Sequence, residues 1–189
     1  MPLAPDAAAL AELLPGTWRV GATNFPLWLS GDRHRPRFNY ELKTADPLVL
    51  HDTVTYTTAQ GVEKIVPGVD RLRTDRPRRN QRKGDQHGVD QNGVDQNGVD
   101  QNGGNIFVWR GTGLLRFVTS RWAVVGATED SNVMVIRFVK SKLTPAGVDV
   151  VLREGTDSHA FRTQVTGLSS TLGLTHGELA SLTWLEFTD

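Results

Sequence analysis

The sequence predicts an all-β protein, built as a single antiparallel up-and-down β-barrel of about eight to ten strands with a short N-terminal helix and a C-terminal helix. Three observations point there. Segments rich in Val, Thr, Tyr and Phe recur at short intervals along most of the chain. Turn-forming Gly, Pro, Asn and Asp punctuate them. A helical period appears only near the two ends.

The elements follow in order. The Asp6 carboxylate can accept a free N–H of a first turn, which predicts a helix over 7–14, stopped by Pro15-Gly16. A first strand is expected over 17–23. The turn-rich stretch 24–36 carries Phe25, Leu27, Trp28 and Leu29 and reads as a lid that buries itself. Strict alternation over 37–43 sets Phe38, Tyr40 and Leu42 on one face and charged or amide side chains on the other. Further strands are expected over 48–58, 62–72, 106–110, 114–119, 122–128, 133–140 and 148–153. Near the end, Thr175 and Glu178 fit a capping box that opens a helix with Leu179 and Leu182 on one stripe.

Composition bounds the function. The 189 residues suit one domain spanning 1–189. Lys plus Arg and Asp plus Glu are both 21, so the net charge is zero with His neutral. The overall balance gives no pull toward nucleic acid or an anionic membrane, and neither partner is expected. The chain has no cysteine, which removes disulfides, thiolate metal sites and cysteine nucleophiles. The N-terminal stretch lacks the pattern of a signal peptide, and no run approaches the ~20 apolar residues of a membrane helix. The expected location is cytoplasmic.

Residues 74–104 do not read as core. They begin with Arg76, Arg78, Arg79, Arg82 and Lys83, then repeat Asn-Gly-Val-Asp-Gln in tandem. Such a segment is too polar and Gly-rich to bury a core and reads as a flexible insertion within the barrel. The spaced Asp85, Asp90, Asp95 and Asp100 match no cation-binding loop, and no metal site is expected.

Gly16-Thr17-Trp18, opening the first strand after a short helix, together with the strand succession and the final helix, resembles the lipocalin or calycin superfamily. That group includes fatty-acid-binding proteins and nitrobindin-like barrels. The resemblance implies that Trp18 plugs the closed end and that an arginine of a late strand packs across its ring. Arg153 is the first choice and Arg137 the second. Nitrobindin-like members hold haem through a histidine. His159 or His176 would have to serve here, and neither sits in a matching context, so no cofactor is expected, with haem as the alternative.

Alternation assigns inward faces. Phe38, Tyr40 and Leu42 point in, as do Leu48, Leu50, Asp52, Val54 and Tyr56. On their face, Arg116 lies between Leu114 and Val118, and Arg137 between Val135 and Val139. One register turns both arginines inward. The other places Phe117, Met134, Ile136 and Phe138 inside instead. Trp28 of the lid would complete the pocket.

Three functions stay open. The leading one is an intracellular carrier of a small hydrophobic ligand, whose carboxylate, where it bears one, Arg116 or Arg137 and a tyrosine would grip. In the second, a cofactor-independent isomerase, lyase or cyclase, Asp52 acts as acid or base and Tyr40 or Tyr56 steadies an oxyanion. The third is a structural or interaction protein with a filled barrel.

Overall fold

A computed structural model describes residues 5–73, 105–140 and 145–187; the 74–104 insertion lies outside the described residues. Helix α1 (Ala7–Leu13) precedes strand β1 (Gly16–Thr23) and the one-turn helix α2 (Pro26–Leu29). Strands β2 (Arg33–Ala45), β3 (Leu48–Thr58) and β4 (Glu63–Arg73) follow, then β5 (Ile106–Gly111), β6 (Thr119–Ala127), β7 (Val133–Val139) and β8 (Gly147–Arg153). Helices α3 (Phe161–Gly167) and α4 (His176–Ser181) and the short strand β9 (Thr183–Trp184) complete the chain.

Each strand from β2 to β8 pairs antiparallel with the next, β8 pairs with β1, and β1 returns to β2. The result is a closed eight-stranded barrel. Closure leaves no sheet edge for another chain to extend. β9 adds beside the far half of β1, at Ala22 and Thr23.

Two expectations need correction. The 114–119 segment is not a strand. Gly111 and Gly113 break the sheet, and a 3₁₀ turn at Gly113–Leu115 leads into β6. Its alternating apolar side chains are exposed, Leu114 fully and Phe117 at 76 %. The C-terminal region also holds an unforeseen helix, α3, whose Phe161 and Val165 are buried.

The apolar residues divide into two cores. Inside the barrel lie Trp18, Phe38, Tyr40, Leu50, Phe107, Trp122, Met134 and Ile136. A second cluster sits outside, where α3 and the 172–174 turn cover Val133, Val135, Val150 and Leu152. β7 and β8 are therefore buried on both faces, so alternation in them carries no face signal.

The closed end is built around Trp18. Its indole N–H donates to the Leu14 carbonyl at 2.9 Å, and the Arg153 guanidinium lies 4.2 Å from its ring centroid. Arg153 also donates to the carbonyls of Leu13, Pro15 and Ser131, tying helix α1 across the barrel floor. Gly16 has φ +117, and a Cβ there would stand 3.0 Å from the Arg153 guanidinium. The glycine admits the arginine as well as the backbone turn.

Candidate functional site

Antiparallel register builds a polar belt across one side of the barrel interior. Tyr40 on β2 stands opposite Asp52 on β3, and Asp52 stands opposite Gly68 on β4. Two residues further along β4, Asp70 stands opposite Trp109 on β5, which faces Ser120 on β6. Gly68 is essential to this arrangement. A Cβ at that position would lie 2.1 Å from the Trp109 indole nitrogen, so the ring can lie across the sheet only over a glycine.

The belt's polar capacity is largely unspent. The Trp122 indole N–H donates to Asp70 Oδ1 at 2.8 Å. Asp52 Oδ1, Asp70 Oδ2, the Trp109 indole nitrogen and the Ser120 hydroxyl are buried and find at most one another, with Asp52 lying against Asp70 and the Trp109 indole. Buried polar atoms are almost always satisfied, so four together on neighbouring strands mark a place built for something else.

Electrostatics sharpen the point. Asp52 is 4 % exposed and Asp70 is fully buried. Burial holds the Asp52 carboxyl well above its usual range, the neighbouring Asp70 raises it further, and the Trp109 indole works against both. Burial pushes Asp70 up to about 7, opposed by the hydrogen bond from Trp122 and by Asp52. Like charges this close cannot both ionise in a low dielectric. Tyr40 is also raised well above its usual value, by burial first and then by the nearby carboxylates. Among the described residues, no basic side chain is buried to match these acids.

A third carboxylate lies nearer the open end. Asp149 of β8 accepts from the Thr23 hydroxyl at 2.5 Å and from the Trp28 indole N–H at 2.9 Å. Burial pushes it up to about 7 against those two hydrogen bonds. The Thr23 hydroxyl also accepts from the Phe25 amide, so Asp149 is the anchor of the α2 lid.

Aromatic rings fill the space between. Phe107 stacks on Trp122 at 4.4 Å, and Trp122 on Tyr40 at 5.6 Å. The chain continues through Phe38 to Trp28, which also approaches Tyr56 at 6.3 Å. Trp28 is buried in the mouth and covers the belt from above. A concavity of about 20 Å³ lies on the outer wall, between Arg19, Arg35, Arg37 and Phe187.

The structure sorts the residues singled out from the sequence. Phe38, Tyr40, Leu48, Leu50 and Asp52 lie inside and buried, with Val54 and Tyr56 partly buried toward the mouth, whereas Leu42, expected inside, is exposed where β2 runs past the floor toward its turn. Tyr40 is beside Asp52, whereas Tyr56 stands two interior positions above it, near Trp28.

Arg116 and Arg137 are corrected. Arg116 sits in the exposed turn before β6, over the Phe117 ring, and Phe117 is likewise outside. Arg137 points to the outer wall, where it makes two hydrogen bonds to the Glu178 carboxylate and one to the Gly173 carbonyl. Met134, Ile136 and Phe138 take the interior face of β7. His159 and His176 are exposed near the starts of α3 and α4 and face no cavity.

Asp70 and Asp149 were missed. Asp70 shares its face with Val66 and Leu72, which is the signal that would have found it. Asp149 sits in a strand buried on both sides, where no period distinguishes it.

No protein-family model matches the sequence, and no curated protein matches it. Solved structures do. Lobster apocrustacyanin A1 superposes with a TM-score of 0.53 at 10 % identity, covering 99 % of this chain and 89 % of that one. A biogenic amine-binding protein gives 0.53 at 12 %, over 100 % and 91 %. The siderocalin Ex-FABP gives 0.51 at 10 %, over 94 % and 96 %. At these identities the likeness is one of fold.

Proposed function

We propose that this chain, a barrel of the lipocalin type, binds a small apolar ligand bearing a positively charged amine. The observation that carries the reading is the Asp52–Asp70 pair, buried in an aromatic interior with no buried basic side chain among the described residues to match it. An ammonium group entering the belt would let Asp70 give up its proton and would complete the charge balance. Tyr40, Trp109 and Trp122 offer ring faces and edges to the ligand's apolar part. A barrel of the same fold carries the name biogenic amine-binding protein, which supports this reading.

The carboxylate-bearing ligand expected from the sequence loses its support, because its gripping arginines are outside. The interior holds its own rings, so binding requires Trp28 to leave the mouth. Its ties there are one indole hydrogen bond to Asp149 and its ring contacts. The cysteine-free composition keeps the cytoplasm as the proposed location.

The aromatic stack also favours a second reading, a filled barrel with a structural role. The unspent belt argues against it. Two adjacent buried carboxyls cost stability, and an apolar pair of similar size would serve packing better.

Titration calorimetry with an arylalkylamine and its carboxylate isostere tests the proposal. The amine should bind and the acid should not. Asp70→Asn should weaken the amine by at least about thirtyfold, as loss of one partner of a buried charge pair does. Equal affinity for the two probes, or an unchanged affinity in the variant, overturns the reading.

A further inference from the structure

The exposed apolar side chains are unevenly distributed over the described surface. Strand direction places the α2 lid, the β3–β4 turn, the β5–β6 turn and the end of β7 at the open end. Most of the large apolar side chains that stand exposed cluster there. They are Leu27 and Leu29 on the lid, Val62 and Ile65 around the β3–β4 turn, and Leu114 and Phe117 before β6.

These segments are neighbours along one side of the mouth. Trp28 of the lid reaches Tyr56 near the end of β3, β3 pairs with β4, and Thr112 donates to the Pro67 carbonyl of β4. Arg33, Lys64, Arg116 and Lys140 stand on the same rim, against the acids Asp32 and Glu63. The Arg116 guanidinium lies 4.7 Å from the Phe117 ring centroid, so apolar tip and cation are interleaved.

We propose that the open end docks on an anionic phospholipid bilayer. Exposed apolar patches of this kind mark an interaction surface. The apolar side chains here sit on separate turn tips rather than in a groove, and they alternate with long basic side chains. That pattern fits a flat partner with an apolar interior and a negative surface, as a bilayer of acidic lipids provides. Leu114 and Phe117 enter the acyl boundary while Arg116, Lys64 and Arg33 remain at headgroup level. The mouth then opens toward the membrane, where an apolar ligand is concentrated.

Co-sedimentation with vesicles tests this, using phosphatidylcholine alone and an equimolar mixture of phosphatidylcholine and phosphatidylserine. The full chain should partition at least about tenfold more strongly onto the mixed vesicles, and added salt should reduce the difference. Arg116→Ala should weaken that partition by about fivefold. Leu114→Asp combined with Phe117→Asp should abolish it without changing the circular dichroism spectrum, since both side chains are exposed. Failure to pellet with either vesicle, equal pelleting with both, or full retention by the double variant overturns the proposal. So does a concentration-dependent dimer that the double variant dissolves, because the rim would then be a contact between copies.

Discussion

The floor and the interior of the barrel are built on opposite rules. At the closed end, the Trp18 indole and the Arg153 guanidinium spend their N–H groups on backbone carbonyls of α1 and the turns around it. In the barrel interior, the three carboxylates meet no buried cation among the described residues, and the groups of the belt find at most one another. A folding core pairs its buried polar groups, while a binding site keeps them for its ligand. The contrast locates stability at the floor and function in the interior.

The contrast breaks most visibly at Trp18. Trp18→Ala removes a fully buried ring and the surface on which Arg153 packs. Denaturant unfolding should show a loss of about 3–5 kcal/mol. An effect under about 1 kcal/mol would mean that the floor contributes little, contrary to its satisfied hydrogen bonds.

In the interior belt the sign should reverse. For Asp70, the folded carboxyl is raised to about 7. Between the unfolded value of about 4 and that value, the folded state keeps a proton that the unfolded state has lost. Stability therefore falls as pH rises through that window and levels off above it. Asp70→Asn removes this loss, so the variant should be more stable than wild type at pH 8 by on the order of 2 kcal/mol. The gap should close toward pH 4. Destabilisation at pH 8 would show that the carboxylate is a structural partner instead.

The smallest effect is expected at Arg137. Its ion pair with Glu178 is partly buried and ties α4 to the outer wall. Arg137→Ala should cost about 1 kcal/mol in thermal unfolding and leave amine affinity unchanged. A loss of affinity would return this arginine to the site.

Legibility in the sequence followed solvent. β2 and β3 alternate because one face is wet, and their interior residues, Asp52 included, could be read from period alone. The Gly16-Thr17-Trp18 opening and Arg153 were legible because the closed end repeats a local chemistry. β7 and β8 have no wet face, since α3 and the 172–174 turn cover their outer side. Asp149 and the outward Arg137 were therefore hidden by buried neighbours on both sides. The error at 114–119 has another cause. Its alternating apolar residues follow a pattern that a strand would share, but they belong to the rim, and only the glycines at 111 and 113 signal the break.

The central claim is that the interior carboxyls wait for a cation, and carbon-13 NMR titration of the aspartate carboxyls measures this directly. In the free protein, interior carboxyls should titrate near 7 (Asp70 and Asp149), and none of the three should behave as a solvated aspartate. Saturation with the arylalkylamine should move the Asp70 midpoint well below 7, because the bound ammonium favours the ionised form. Ordinary carboxyl titration near 4 in the free protein, or midpoints indifferent to the amine, would contradict the account.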